Sequence, residues 1–444
     1  MIPVSSKIKA AFQSDSMFKT YYLVFLNSDL GIIRIDNTGL SSDGITLTEP
    51  MCSEEQLHYG RCEAATFEFE MKYVATSLVG QIFDVYLVLG DYFDEEDIFT
   101  VGRYIVDTED VENDRSVKTV TAFDIMYVLN HLDITYWMYQ LNFPITIKNF
   151  RDSLFEYVGQ EQVEVELIND NAVLYQNPLD NQTDISFEAI MTGLCEVNGV
   201  FGHINREGKF DYKSLTAVDS EETYPGKATY PGSDLFPKSM RGKNYFINPH
   251  LIVSDISWSN YMCKTVDIVQ ARNSAGKVVL EYQLPNKTTN TNIYVIQNNW
   301  IIDAFENATL NEVIRNFAEF ISKITYMPVD ANVKMDLSFE VGDAITLTST
   351  DGTRIPTFIF SRTMTGIVSA FDNFVATGYE EFINEAPSSD GAIEEIASEV
   401  SDLDDRVTAL EGGDGNIQIL SVKELPSAPR KNVLYLVQGK IYVN

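Results

Sequence analysis

The chain has 444 residues, of which 45% are hydrophobic and 12% aromatic, so it is long enough to bury sizeable cores in several domains. Its 65 acidic and 32 basic residues give a formal net charge of −33, which repels phosphate backbones and anionic membrane surfaces. Nucleic acid and membranes are therefore disfavoured as partners. The acidity itself has two interpretations, solubility or an acidic wall that attracts cations and basic partners.

The N-terminus has no apolar run of signal-peptide length, and no later run is long enough to span a bilayer. We therefore expect the protein to fold in a cytoplasm, where thiols stay reduced. The four cysteines are Cys52, Cys62, Cys195 and Cys263.

The first 125 residues carry the alternating patterns of an antiparallel sheet. A short opening helix is predicted from the spacing of Val4, Ile8, Ala11 and Phe12. Strands are predicted at Tyr21–Leu26, Ile32–Ile35, Thr66–Met71, Phe83–Leu89, Phe99–Val111 and Val117–Thr121. The last two flank an acidic turn at Asn113-Asp114 and lead directly into a helix, whose apolar face holds Ile125, Val128, Leu129 and Leu132.

The next segment mixes helices with a hairpin. Asn149 is the predicted N-cap of a helix that carries Phe150, Leu154, Phe155 and Val158 and ends at Gly159. A second helix is predicted near Ser186–Asn198, followed by a hairpin at Gly199–Tyr212 around Asn205-Arg206-Glu207-Gly208. Residues 216–249 form a connector rich in proline, glycine and tyrosine, whose turns exclude a helix or a long strand.

A second β-rich region follows, interrupted by one helix. Strands are predicted at Ile252–Ser257, Thr265–Arg272, Val278–Leu284, Val341–Thr348, Thr357–Thr363 and Asn373–Phe382. Thr309 and Glu312 have the spacing of a capping box, which predicts the helix start, and Pro328 limits its end.

After a hinge at Ala386–Gly391, apolar residues repeat with the heptad spacing of a coiled coil. The a and d positions are Ile393, Ile396, Val400, Leu403, Val407 and Leu410. This segment is shorter than the three to four heptads that hold alone, so we expect it to associate only where the body already places its copies side by side. Two short strands, Val433–Val437 and Lys440–Val443, form a small terminal unit.

These patterns predict an α+β, β-rich fold with two barrel-like antiparallel β domains, helical insertions, a short C-terminal coiled coil and a small terminal β unit. The first β domain takes residues 1–125 and the second takes 251–385. The mixed insertion and connector take 126–250, the hinge and coiled coil 386–413, and the terminal unit 414–444.

Motifs for known chemistry are absent from the sequence: there is no P-loop, HExxH or GxSxG pattern. Cys52, His58 and Cys62 lack a fourth ligand at zinc-site spacing, so we interpret them as structural residues of a hairpin. Cys195 and His203 have the residue types of a nucleophile and its base, but a buried inert thiol fits the apolar setting of Cys195 better. We predict no catalytic residues, no cofactor and no metal site.

Carboxylates leave two alternatives open. Asp91–Asp97 is acidic but lacks the ligand spacing of a calcium loop, which favours a solvated turn. A carboxylate pair for glycoside hydrolysis depends on distances in space that the sequence does not give.

Several short motifs together resemble phage tail-tip hub proteins, the family also called tail-associated lysin or prophage endopeptidase-tail proteins. One such motif is Val101-Gly102-Arg103-Tyr104, in a strand that leads through an acidic turn and a second strand to Ala122-Phe123-Asp124 and a helix, and it is similar to one segment of that family. The later segments that agree are Glu196–Phe201 with Asn205–Gly208, Tyr294–Ile301, and Glu340–Asp343. The resemblance covers residues 1–385, and its specificity lies in the order of the motifs.

This resemblance implies a homotrimer that closes the distal end of a tail tube, with two β domains per copy forming a pseudo-sixfold ring. It implies a virion tail location after assembly in a bacterial cytoplasm. The implied partners are the tail tube or distal tail protein ring, the tape measure protein, and a fibre or tip protein seated on the C-terminal unit. About sixty residues follow the β body, so we expect no lysin domain and no enzyme activity.

Two alternatives remain. One is a receptor- or carbohydrate-binding tip protein, suggested by 23 tyrosines and by Trp137 and Trp300 as candidates for exposed aromatic residues. The other is a cell-wall hydrolase with an unrecognised carboxylate site.

Overall fold

The structure is a computed structural model of the full chain. It describes residues 8, 12, 19–26, 34–89, 98–111, 116–179, 182–215, 244–247, 251–254, 256–285, 292–367, 369–383, 418–421, 433–437 and 440–443. Within this part of the chain, no helix is both long and apolar enough to cross a membrane.

Strands dominate the described residues. In the N-terminal half they are β1 Lys19–Phe25, β2 Arg34–Asp36, β3 Leu40–Pro50, β4 Thr66–Lys72, β5 Ile82–Leu89, β6 Ile98–Val111, β7 Val117–Phe123, β8 Ile145–Thr146, β9 Val173–Leu174, β10 Val200–Ile204 and β11 Phe210–Ser214. In the C-terminal half they are β12 Asn244–Ile247, β13 Ser257–Trp258, β14 Ile268–Arg272, β15 Val278–Gln283, β16 Ile293–Ile296, β17 Val329–Lys334, β18 Ala344–Thr348, β19 Arg354–Phe358, β20 Ser361–Thr365, β21 Phe371–Ala376, β22 Gln418–Ser421, β23 Val433–Val437 and β24 Lys440–Val443.

The named helices follow β7 in the chain and precede β17. They are α1 Ile125–Asn130, α2 Thr135–Met138, α3 Ile147–Val158, α4 Phe187–Val197 and α5 Asn307–Ile321, with a 3-10 helix at Trp300–Ala304. Each longer helix turns one apolar stripe inward, as the 3.6-residue period requires.

One large antiparallel sheet joins both predicted β units. Its eleven strands follow the order β13-β17-β21-β20-β3-β4-β7-β6-β5-β1-β2. The joint is β3, which pairs with β4 along one edge and with β20 along the other, from Thr46 opposite Thr365 to Pro50 opposite Ser361. The strands of the N-terminal half and those of the C-terminal half therefore share hydrogen bonds.

The prediction of barrel-like domains is wrong for the described residues, because the large antiparallel sheet is not closed. The free edge that would close a first barrel belongs to β3, and β20 occupies it. The large sheet is therefore open, with β2 and β13 as its outermost strands. The β-rich, antiparallel character is confirmed, whereas the domain boundaries stay a prediction.

Two apolar cores lie against this framework. One is built on β1 and β3–β7 and also takes Met335, Leu337 and Met364 from the second unit. The other holds the helices, the β14–β16 sheet and the inward face of β17 and β21. The hydroxyl of Tyr21 reaches the sulfur atoms of Met335 at 3.4 Å and Met364 at 3.6 Å, so the first core also bridges both units.

Most predicted elements are confirmed within a few residues. The alternation at Thr66–Met71 is β4, with Phe67, Phe69 and Met71 buried. The hairpin strands β6 and β7 lead into α1, whose N-cap Asp124 accepts from Met126 N at 2.9 Å. The predicted terminal strands have the same bounds as β23 and β24.

Two cap predictions are wrong, and so are two strand predictions, the first of which, Ile252–Ser257, overlaps β13 only at Ser257. Thr146, not Asn149, caps α3, and α5 begins at Asn307 rather than at the Thr309 capping box, with no side-chain cap. The predicted strand Thr357–Thr363 is split between β19 and β20. Strand β3 was not predicted, because Ser41–Gly44 has the composition of a turn and forms an irregularity in the β3–β4 register.

Several predicted features lie wholly or partly outside the described residues. They include the acidic segment Asp91–Asp97, the acidic turn at Asn113-Asp114, most of the connector at 216–249, and the hinge with its heptad. Of the opening helix only Ile8 and Phe12 are described, and both are helical and buried.

Candidate functional site

The residues predicted to mediate oligomerisation lie outside the described part of the chain. They are Ile393, Ile396, Val400, Leu403, Val407 and Leu410. The described part of the chain offers clusters of charged, thiol and exposed apolar side chains as candidate sites.

A buried charge cluster lies where the two β units meet. Glu49 on β3 stands directly opposite Arg362 on β20, with Arg362 Nε 3.7 Å from Glu49 Oε2. Arg206, in the turn between β10 and β11, places its two terminal nitrogens 2.7 Å from the two Glu49 oxygens. Arg362 also reaches Asp372 on β21, with Nη2 2.7 Å from Oδ2.

The charges of this cluster neutralise one another inside the fold. Burial alone would raise the pKa of the Glu49 carboxyl, but the Arg206 and Arg362 guanidiniums outweigh it and hold that pKa below its ordinary value. Arg206 Nη1 donates in addition to the Val101 carbonyl at 2.5 Å. The arrangement joins five chain segments, namely β3, β6, the β10–β11 turn, β20 and β21, and its charged groups are already engaged in these contacts.

The Cys52, His58 and Cys62 set does not form a metal site. Both cysteines are buried in the segment between β3 and β4, and their sulfur atoms contact the carbonyls of Gln56 and Gly60. Within the described residues, no group of three or more His, Cys, Asp or Glu side chains could hold a metal ion.

Cys195 and His203 are not paired as nucleophile and base. The predicted burial of Cys195 is confirmed, and burial together with the neighbouring Cys62 thiol raises its pKa, which disfavours the reactive thiolate. His203 lies buried on β10, where burial and the charge of Lys213 lower its pKa to about 4.

His58 instead contributes to a polar latch that holds the β3–β4 segment against α4. Its Nδ1 lies 3.1 Å from Glu54 Oε2 and its Nε2 lies 3.5 Å from Glu196 Oε1. Glu196, buried on α4, also accepts from the Tyr294 hydroxyl at 3.0 Å and from Asn299 Nδ2 at 2.8 Å. Burial alone would lower the pKa of His58, but the hydrogen bond and charge of Glu196 outweigh it and raise that pKa.

Trp137 and Trp300, predicted as candidates for exposed aromatic residues, are both buried, so that prediction is wrong. Trp137 packs against Phe150 with ring centroids 5.0 Å apart, and Trp300 Nε1 donates to the Ile190 carbonyl at 3.3 Å. The exposed tryptophan is Trp258, on the outermost strand β13.

Trp258 belongs to a group of exposed apolar side chains that we name the apolar edge. Its members are Val253, Trp258, Met262, Tyr379 and Ile383. Ile252, Ser257 and Trp258 pair with β17 at the outer border of the large sheet, and Val253 is 60% exposed. The Tyr261 hydroxyl donates to the Gly378 carbonyl at 3.0 Å, which brings the 261–264 segment beside 378–381.

Sequence reasoning missed both the charge cluster and the apolar edge. Arg206 was assigned only to a turn, since its partners lie 105 and 157 positions away in the chain. A signal for the edge was available in the adjacent apolar and aromatic residues of 251–262, but alternation alone does not show which strand is outermost.

No family model matches the sequence, and no curated protein matches it. Among solved structures, the chain is similar to the tail protein from Neisseria meningitidis MC58, with a TM-score of 0.46, 11% identity, and coverage of 81% of this chain and 97% of that one. It is also similar to the 43 kDa tail protein of prophage MuSo2 from Shewanella oneidensis, with a TM-score of 0.46 and 10% identity over 81% and 98% of the two chains.

A further similar structure is the prophage tail protein gp18 from Listeria monocytogenes EGD-e. Its TM-score is 0.43 and its identity 11%, with 85% of this chain and 98% of that chain covered.

Proposed function

We propose that this chain is a non-enzymatic structural protein of a phage tail or phage-tail-like particle, a hub of which three copies form a ring at the distal end of the tail. The order of the motifs from Val101 to Asp343 supports this assignment. In the fold, these motifs lie where elements meet. Val101–Tyr104 lies in β6, Asp124 caps α1, and the Tyr294 hydroxyl contacts Glu196 on α4.

The observation that carries the proposal is the apolar edge. Trp258 lies on the outermost strand β13, and the other members lie in the segments before and after it or beside it. Exposed large apolar side chains at such a border favour contact with another chain, because an outermost strand leaves backbone donors and acceptors unpaired. A second copy of this chain is the occupant we propose, since the apolar edge extends to Ile383, directly before the segment that holds the heptad. The body and the heptad would then bring the same copies together.

In this proposal the heptad residues Ile393 to Leu410 associate only after the ring has formed. The tail tube or distal tail protein ring and the tape measure protein contact the ring on its tube side. A fibre or tip protein is seated by the C-terminal unit that contains β22–β24.

The test is the mass of the purified full chain by light scattering, together with averaged electron micrographs. We expect three times the chain mass of 50.1 kDa and threefold symmetry. The double variant Trp258→Asp and Met262→Asp should shift the mass toward one copy, because it places charge on the apolar edge. A stable monomer of the unaltered chain, or another symmetry, would contradict the proposal.

The matched control is Val278→Asp with Val279→Asp on β15. These two valines are also exposed on an outermost strand, in the separate β15-β14-β16 sheet. The control should keep three copies. Loss of assembly in the control alone would place the contact between copies on β15 rather than on the apolar edge.

A further inference from the structure

A second exposed surface lies on the helical insertion, and its chemistry differs from that of the apolar edge. It consists of Tyr136, Tyr139, Tyr157, Asp133 and Asp184, which we name the tyrosine surface. Tyr136 is 72% exposed and Tyr139 is 47% exposed. These are the largest exposed fractions among the described tyrosines. Such strongly exposed aromatic rings are typical of a binding surface, because burying them in a complex is energetically favourable.

The tyrosine surface is held rigidly from below. Trp137 is buried beneath it, with its ring centroid 5.0 Å from Phe150 and 6.3 Å from Tyr157. Its Nε1 donates to the Ser153 hydroxyl at 3.2 Å. The rings of this surface are therefore carried on a fixed backbone, which reduces the entropy that binding would cost.

Backbone contacts bring the two carboxylates to the same surface. Ile134 N donates to the Ile185 carbonyl at 2.8 Å, and Asp133 forms a bridge with Ser186, so residues 133–135 run beside 184–186. The Tyr139 hydroxyl donates to the Gln182 carbonyl at 2.5 Å. Asp133 and Tyr136 also lie close enough to Tyr157 to raise its pKa, after burial as the main cause.

The charge of this surface is negative and not neutralised within the described part of the chain, where neither Asp133 nor Asp184 forms an ion pair. The nearest basic residues in sequence are already engaged: Lys148 Nζ lies 2.6 Å from Asp152 Oδ2, and His131 Nδ1 donates to the Tyr127 carbonyl at 2.7 Å. The chain as a whole carries −33, so its field also favours cationic partners.

Exposed rings beside carboxylates match the chemistry of arginine. A guanidinium stacks on an aromatic face and donates several N–H groups in one plane to a carboxylate, whereas a lysine ammonium is a strongly hydrated point charge. We propose that the tyrosine surface binds an arginine-bearing segment of a partner protein, with the guanidinium on Tyr136 and its N–H groups directed to Asp133 or Asp184. This proposal is independent of the ring proposed above.

The experiment measures binding of a fluorescent oligoarginine peptide to the full chain by anisotropy, at an ionic strength of about 0.15 M where exposed charges are partly screened. Oligolysine and an oligomer of citrulline, the uncharged analogue of arginine, are the comparison peptides. We expect oligoarginine to bind more tightly than either. Tyr136→Ala should weaken it about threefold or more, while Tyr136→Phe keeps the ring and most of the affinity.

The carboxylate is tested with Asp184→Asn. Asp184 has φ +66, a backbone conformation that asparagine also adopts, so this change removes charge without strain. It should weaken oligoarginine binding and leave thermal unfolding unchanged. The matched control is Tyr86→Ala: Tyr86 also neighbours a carboxylate, Asp84, but Arg103 already occupies that carboxylate at 2.7 Å, so binding should not change.

Three results would overturn the proposal. One is equal affinity of Tyr136→Ala and the unaltered chain for oligoarginine. Another is equal binding of oligolysine or oligocitrulline. The third is binding of a neutral chitin oligosaccharide that depends on Tyr136 in preference to oligoarginine, which would assign the tyrosine surface to a sugar.

Discussion

Arg362 Nη2 lies 2.7 Å from Asp372 Oδ2, and neither side chain is exposed to solvent. The two residues lie on neighbouring strands, and Glu49 on β3 faces Arg362 from the other side. Asp372 Oδ2 also accepts from Asp336 N at 3.0 Å. The ion pair therefore lies within the part of the sheet where the two β units join.

Removing one member of this pair should destabilise the fold strongly. In Arg362→Met, the Asp372 carboxylate stays buried without its partner, a change that typically costs about 3–5 kcal/mol. We expect a loss of this size in the free energy of unfolding, measured by urea denaturation.

Arg103→Met is the matched control, because Asp84 and Arg103 also form an ion pair between neighbouring strands of the large sheet. Their distance is 2.7 Å as well, but Arg103 is largely exposed. An exposed pair contributes less than about 1 kcal/mol, so this variant should unfold nearly as the unaltered chain does. Equal losses in the two variants would show that burial is not what makes the first pair important.

At Gly60 the backbone of the β3–β4 segment packs closely against α4. We therefore expect Gly60→Ala to lower the free energy of unfolding strongly. A Cβ atom at Gly60 would lie 2.5 Å from the Thr192 carbonyl oxygen and 2.8 Å from Glu196 Cβ, at φ +94. The disfavoured backbone and the close contact together should cost about 3 kcal/mol or more. Thermal unfolding measures the loss.

Gly208→Ala separates the two causes. Gly208 has a similar φ of +79, but nothing lies within 4 Å of the position that its Cβ would take. Only the backbone cost of about 1–2 kcal/mol should remain. If Gly208→Ala is as harmful as Gly60→Ala, the contact with α4 contributes little.

The latch at His58 should make stability depend on pH. The pKa of His58 is raised in the folded protein, so its contribution is fully present below the unfolded value of 6.5 and is lost as pH rises through the folded pKa. The charged groups around His58 are Glu54, Glu196 and, through Glu54, Arg61. The stability difference between the unaltered chain and His58→Gln should therefore shrink as pH rises above 6.5.

Urea denaturation of both proteins across this pH range measures that difference. A difference that stays constant, or that grows toward alkaline pH, would contradict the proposed coupling between His58 and Glu196.

The heptad should follow the ring rather than create it. In Val400→Asp with Leu403→Asp, we expect the mass of three copies to persist while far-UV circular dichroism loses helical signal. Ser398→Asp with Ser401→Asp adds the same charge outside the a and d positions and should lose neither. Dissociation of the first variant into single chains would mean that the heptad sets the copy number.

Clear hydrophobic periodicity, of two residues in strands and 3.6 residues in helices, made many elements of the fold predictable from the sequence. Phe67, Phe69 and Met71 gave β4, and the inward stripe of Leu310, Val313 and Phe317 gave α5. These elements were predicted because local residues already match the period of the structure that they form.

Long-range pairing was not predictable in the same way. The pairing of β3 with β20 joins positions more than 300 residues apart, and no local pattern specifies it. The polar partners of Arg206, and the burial of Trp137 and Trp300, likewise depend on how separate segments of the chain pack together. The candidate surfaces could be found only once the outermost strands were known.

Strand β3 also limits where the proposed ring of subunits could open. Its hydrogen bonds to β4 and to β20 connect the two halves of one subunit continuously, so a hinge between them would have to break a sheet with a buried ion pair across it. In the proposed ring, separate subunits would not be joined by a strand that continues through both of them, as β3 joins the two halves of one subunit. A passage along the axis of that ring would therefore open at the seams between subunits rather than between β3 and β20.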